Sequence, residues 1–385
     1  MGRKRKAESR YTGVLLVDKP EGPTSHDVVG WVRWALGERS VGHCGTLDPP
    51  ASGLLVVCVG EGTKLVDALT SVDKRYWTRL VIGRSTTTAD GAGETLTTAP
   101  VDAAMLERAR ELVEALRGPL ELPPPAYSAV KVDGKRAHAL ARAGELVELP
   151  KRPMAVHALT VLGAGLEPAA ATGEDEGEQG WIELELRVAK GTYIRSLAEE
   201  LGRRLGCPAH MARLRRLACG PLTVDDPGAV GGLIAQELPP REGAPPRWRV
   251  ELPPADPPVT DNDARRARAR EWLESRLRAP WRDLPMPAVM LDADASEAAE
   301  ERAKLVERLL HGQRLPLHPT MRARLGLENV AGGPCALVHL GLQVMILAVV
   351  ESDEDGDTRL QPTRIVRLRA CDPAPAHPSG LPGGD

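Results

Sequence analysis

At 385 residues and 42% hydrophobic composition, the chain is long enough for two or three domains of roughly 150 residues each. Its longest apolar stretches, near Gly53–Gly60 and Val338–Val350, fall short of the roughly 18–20 residues a membrane helix needs, and MGRKRKAESR lacks the apolar part of a signal peptide, so a soluble, cytoplasmic protein is expected. A formal charge of −3 with a pI near 6.4 excludes a general nucleic-acid coat, and six scattered cysteines with no Cys-x-x-Cys pair exclude a zinc site or a disulfide framework.

Residues 1–10 carry five basic side chains against Glu8, a disordered arm that is either a solvated tail or an RNA contact. GVLLVDKP (13–20) reads as an apolar strand closed by Lys19-Pro20. Thr24 followed three residues on by Asp27 marks a helix start, with Val28, Val29, Val32 and Leu36 on one face and Gly37 as the stop. A second helix is expected over 103–117, between an Asp102 cap and Gly118. WIELELRV (181–188) alternates as a half-buried strand does, and KGTYIR leads from it into a helix reaching about Leu205. EPAAATGEDEGEQG (167–180), acidic and aperiodic, reads as a surface loop. The Pro-rich stretch 224–283 reads as an irregular connector with one helix near 262–278. From about Leu284 a helix over 295–310 and short strands, the last two split by the acidic turn in VVESDEDGDTRLQP, have the rhythm of a small mixed β domain ending near 370. The tail 371–385 is expected to be disordered.

The most informative segment is VGHCGTLDPPASGLLVVCVGEGTKL (41–65). Gly42, Gly45 and Gly53 permit tight turns or close approach, and an Asp-Pro-Pro corner presents Asp48 at the end of a loop that feeds an apolar strand. Taken alone, Asp48 could simply cap a turn. Four further blocks accompany it in order: GVLLVDKPEGPTSHDVV (13–29), SVDKRYWTRLVIGRSTTTADGAGE (71–94), PPAYSAVKVDGKRAHALAR (124–142) and VAKGTYIRSLAEELGRRLGCPAHMARLRRLACGP (188–221).

Together these five blocks resemble the TruB family of tRNA pseudouridine synthases across nearly all of residues 13–221. LLHGQRL (309–315) and LQPTRIVRL (360–368) resemble, more loosely, that family's PUA-like RNA-binding domain. The resemblance implies an α+β pseudouridine synthase fold, a central mixed or antiparallel sheet flanked by helices, over 11–223, followed by the connector and a PUA-like domain over 284–370. It implies an isomerase that needs no cofactor or metal, detaching uracil from ribose and rejoining it through carbon 5. The expected substrate is uridine 55 of the tRNA T stem-loop, met by a monomer with no obligatory protein partner.

Residue by residue, Asp48 matches the catalytic aspartate and Arg195 the arginine that pairs with it, an arrangement expected to lower the carboxylate pKa by roughly 1–3 units. Tyr76 matches a tyrosine that stacks on the target base and is proposed to accept the carbon 5 proton. A phenol of pKa near 10 is a poor base at neutral pH, which favours stacking. Leu214 matches the leucine on the other side of the base, His43 a histidine that helps hold the flipped-out nucleotide, and Asp90 a supporting acid. Lys19 and Pro20 are expected to brace the Asp48 loop. Cys44, Pro50 and Thr87 depart from the residues usual in the family.

Seven basic residues against two acidic ones in 190–220 form a local patch able to track phosphates, Arg215 and Arg216 among them. Lys131, Lys135, Arg136 and Arg142 make a second group, in the block that resembles the family's RNA-clamping insertion. Two other readings stay open: a guide-RNA-dependent synthase of the dyskerin type, and a tRNA-folding chaperone without catalysis.

Overall fold

A computed structural model describes residues 9–128, 130–132, 135–136, 149–169, 178–239, 246–255, 259–292, 297–352 and 357–369; Arg142, the 1–8 part of the basic arm, 170–177 of the acidic loop and the 371–385 tail lie outside these. The chain is α+β. Its first strand, β1 (Thr12–Lys19), is followed by helix α1 (Ser25–Leu36), a short strand β2 (Val41–His43) and β3 (Ser52–Gly60). After two short helical segments comes β4 (Lys74–Ile82). The main sheet runs in the order β1, β3, Ala209–Cys219, β4, Glu178–Val188, Arg152–Pro168, Gly118–Leu122, with β2 on β3. All its pairs are antiparallel except that between β3 and Ala209–Cys219.

The strands show in their sequences what covers them. One face of the sheet carries α1 and the helices Ala103–Glu114, Ile194–Leu205 and Asn262–Glu274 over a core of Leu15, Val17, Leu55, Val57, Leu80 and Leu184. At β1 and β3 the other face is covered too, because Val14, Leu16, Leu54 and Val56 pack against Ala336, Val338, Met345 and Leu347 of the C-terminal sheet. Both strands are therefore continuous apolar runs, as strands buried on two sides are. In Glu178–Val188 only one face is covered, so Ile182, Leu184 and Leu186 are buried while Trp181, Glu183 and Glu185 are partly open. Thr24 and Asp27 form a full capping box on α1, and Gly37 ends it at φ 65°.

Three expectations change. The helix expected to reach 117 stops at Glu114, and Gly118, at φ 98°, opens a strand instead. The acidic loop is shorter than 167–180, since strands run to Pro168 and from Glu178, and Glu167 is engaged with Arg79 and Gln179. The connector 224–283 is not irregular throughout: Ile234–Leu238 and Arg247–Glu251 pair as a hairpin, and Asn262–Glu274 packs on α1 through Ala269 and Leu273. Its prolines and charges hide a hairpin that has only one covered side.

Beyond 284 a five-stranded mixed sheet, ordered Ala288–Met290, Gly333–His339, Val344–Ser352, Thr358–Arg367, Leu315–Pro316, packs with the helix Glu297–Leu310. It is fastened to the main sheet by the shared apolar layer and by hydrogen bonds such as Thr12 N to Arg369 O (3.0 Å) and Lys64 Nζ to Ile365 O (2.8 Å). No helix among the described residues is long and apolar enough to cross a membrane.

Candidate active site

Asp48 lies on the loop between β2 and β3, and that loop is held at many points. Ser25, first residue of α1, accepts from Leu47 N and donates to Leu47 O, both at 2.9 Å. The wholly buried Lys19 donates to the carbonyls of Pro20 (2.9 Å), Pro23 (2.7 Å) and Pro49 (3.3 Å). Burial pushes the Lys19 ammonium down to about 8, with the Asp48 charge opposing the drop. Gly22 N donates to Pro49 O at 2.8 Å. Gly53, at φ 98°, lets the loop rejoin the sheet: a Cβ there would stand 2.3 Å from Arg216 O.

The Asp48 carboxylate meets Arg195 at 2.9 Å (Oδ2 to Nη2). Arg195, at the start of Ile194–Leu205, is 5% exposed and donates to Thr88 O (3.2 Å) and Tyr127 O (3.0 Å). Asp90 stands 3.9 Å from its other terminal nitrogen. Asp90 is itself fixed by Thr88 Oγ1 (2.5 Å) and Ala92 N (3.1 Å), next to Ala89 at a positive φ of 57°. The guanidinium is thus oriented by two carboxylates and two carbonyls.

The expectation that Arg195 would leave the Asp48 pKa below its ordinary value is reversed. Burial raises it, Arg195 offsets part of the rise, and the Asp90 charge adds to it. About a third of the Asp48 side chain (36%) stays open to solvent, so a substrate can still reach the carboxylate.

Tyr76 on β4 and Leu214 on Ala209–Cys219 lie on neighbouring strands, each 9% exposed in the core under the helices. Burial raises the Tyr76 pKa, with the nearby Arg216 charge opposing it. A phenol so shifted stays protonated at neutral pH, which suits stacking better than proton abstraction.

His43 ends β2 and meets His26 edge-on, ring centroids 5.4 Å apart. Its buried Nδ1 has no hydrogen-bond partner among the described residues, and burial pushes its pKa down to about 4. Between pH 6.5 and about 4 the unfolded chain takes up this proton and the folded one does not. The neutral ring therefore supports the fold above pH 6.5, and that support is lost as pH falls to about 4. His43→Asn should flatten the fall in unfolding free energy across this window by at most about 1.4 kcal/mol per pH unit. Denaturant melts of both proteins at several pH values test this, and parallel slopes would contradict it.

Of two expected RNA contacts, Arg216 is corrected, and Arg215 is found in an ion pair on the other face of its strand. Successive residues of a strand point to opposite faces, so Arg215 lies away from Leu214, held by Asp18 in two hydrogen bonds of 2.9 and 2.8 Å. Arg216 does lie on the Leu214 face, but it is 1% exposed and bonds to carbonyls of the Asp48 loop. The rest of the patch is also largely engaged: Arg203 and Arg204 share Glu200, and Arg213 meets Glu21 and Trp77. Lys131 and Arg136 pair as residues of a short two-stranded ladder with Val132 and Lys135. Sequence reasoning missed Ser25 altogether; a hydroxyl at a helix N-terminus signals only a cap. Cys44 sits in the apolar layer with its Sγ 3.5 Å from that of Cys58.

Residues 33–194 match the family described as TruB family pseudouridylate synthase (N terminal domain), and residues 195–230 that described as tRNA pseudouridylate synthase B C-terminal domain. A Bacillus licheniformis protein described as tRNA pseudouridine synthase B is 43% identical over 217 residues, 56% of this chain and 68% of the relative. One from Thermobifida fusca with the same description is 44% identical over 226 residues, 58% of this chain and 75% of the relative. Among solved structures, a chain from a Cbf5-Nop10-Gar1 complex superposes with a TM-score of 0.56 at 21% identity, covering 97% of this chain and 93% of that one, a likeness of fold alone. On the two matched domains and the two-thirds of each relative that it spans, the chain belongs to the TruB family of pseudouridylate synthases.

Proposed function

We propose that this protein is an isomerase that converts uridine to pseudouridine in tRNA, at position 55 of the T loop, with Asp48 as the catalytic carboxylate and without a guide RNA. The observation that carries the reading is the 2.9 Å pair between the partly open Asp48 and the buried Arg195, on a loop tied through Arg216 to the strand that faces Tyr76. A base reaching this cleft must leave its stack, at a cost of a few kcal/mol that contacts along the RNA offset. Once in, it packs between the Tyr76 ring and Leu214 with Asp48 beside the ribose. His43, on the strand entering the Asp48 loop, holds the nucleotide in its flipped-out position, and Asp90 keeps Arg195 aimed.

During the reaction the bond from N1 to the ribose breaks, the ring turns, and carbon 5 forms the new bond; carbon 5 gives up its proton to solvent and N1 takes one up, so that atoms and charge balance. No electrons are gained or lost overall, so no redox partner is called for. Residues 11–223 serve as the catalytic domain, and 284–370 as a PUA-like RNA-binding domain whose sheet packs against it through a shared apolar layer. The group Lys131, Lys135, Arg136 and Arg142 contributes the phosphate contacts that the buried Arg216 does not.

The test is to incubate purified protein with an unmodified tRNA transcript and map pseudouridine along it. One pseudouridine, at position 55, is the expected result. Modification elsewhere, or none in a protein shown to bind tRNA, would refute the reading.

A further inference from the structure

Arg216 is among the largest fully buried side chains of the protein. Its guanidinium donates to Leu54 O at 2.7 Å, Gly45 O at 3.0 Å and Thr46 O at 3.4 Å. These carbonyls lie on both sides of Asp48, so a single side chain clamps the two limbs of the catalytic loop. The backbone repeats the clamp: Arg216 pairs with Gly53 where β3 runs parallel to Ala209–Cys219, and Gly53 has no Cβ to hold the strands apart. Arg216 also stands opposite Tyr76 across the neighbouring ladder, on the same face of the sheet, so the strand that carries the clamp also sets the place of the phenol.

We propose that Arg216 is a positioning residue for the isomerisation, holding the Asp48 loop and the Tyr76 ring in one fixed relation while touching neither RNA nor the reacting atoms. A planar guanidinium suits this task because its five N–H groups leave in fixed directions, whereas an ammonium on a flexible stem fixes none of them. Displacing a reacting group by about 1 Å costs around a hundredfold in rate, while binding through distant contacts is unaffected. The proposal rests on the assignment of Asp48 and Tyr76 made above.

The test compares wild type, Arg216→Lys, Arg216→Met and Arg216→Ala, each checked for folding by circular dichroism. Single-turnover conversion of tRNA is measured beside tRNA affinity. The expected result is a fall in rate of about a hundredfold or more in the Lys and Met variants, with affinity kept within about threefold. Guanidinium ion at millimolar concentration should restore part of the rate to Arg216→Ala by occupying the emptied space, and none to Asp48→Asn. Rates equal to wild type in folded Lys and Met variants would overturn the proposal. So would an equal loss of rate and affinity, or unfolding of all three variants, since either makes Arg216 a general support of the fold. Wild-type protein that yields no pseudouridine would instead refute the proposed function. In that case faster hydrogen exchange at the Leu47 and Ala51 amides of Arg216→Lys still reports the clamp, and unchanged exchange there overturns it.

Discussion

Asp48→Asn should reduce pseudouridine formation at least about a thousandfold, the scale on which removal of a reacting group acts. Asparagine keeps the shape of the side chain and removes only its charge. The loop does not depend on that charge, because Ser25, Lys19 and Arg216 bind it through main-chain atoms. Arg195 is not abandoned either, for Thr88 O, Tyr127 O and Asp90 remain around it. Stability should even hold or rise slightly at neutral pH. Because the folded-state pKa of Asp48 lies above its ordinary value, the folded protein binds this proton more readily, and stability falls as pH rises from 3.8 to the raised value. The neutral asparagine escapes that loss. Wild-type melting temperature and tRNA affinity beside lost turnover is the expected pattern; a variant keeping a few per cent of wild-type turnover would falsify the catalytic role.

Arg195→Met should have the next largest effect, and a different signature. The change removes the partner that opposes the rise in the Asp48 pKa and leaves Asp48 with the charge of Asp90 nearby. A carboxylate that loses an adjacent guanidinium rises by roughly 1–3 units. The acid limb of the single-turnover pH profile should therefore move up by about one unit or more, so that part of the lost rate returns at higher pH. Loss of orientation, about a hundredfold, does not return. An acid limb left where wild type has it, in a folded variant, would show that Arg195 does not govern the ionisation of Asp48.

The elements that the sequence made legible are those where local chemistry and tertiary demand agree. Thr24 with Asp27 could serve only a helix start, and the alternation in 181–188 could serve only a sheet with one covered face. Where a residue's surroundings come from distant chain, the sequence misled. Counting charges in 190–220 made Arg216 an RNA contact, yet strand geometry buries it beneath the loop. The hairpin at 234–251 was invisible because its prolines and arginines resemble a linker, and only packing on α1 makes it a structure. The pairing of Asp48 with Arg195 was available through family resemblance alone. The reversal of its pKa was not, because desolvation depends on walls that no motif describes.

As a stand-alone synthase, the protein proposed above needs nothing but its own surface to find its uridine. The most direct measurement is conversion of an isolated T stem-loop by purified protein, with no guide RNA, accessory protein or metal added. The expected result is pseudouridine at one loop position, at a rate that falls steeply with added salt as phosphate contacts are screened. Scrambling the loop should abolish conversion, whereas exchanging base pairs within the stem should matter little, since an A-form stem is read by shape and backbone. Protein that is inert on both the stem-loop and full tRNA, but active once a cellular RNA fraction is supplied, would be a guided enzyme and not a stand-alone one.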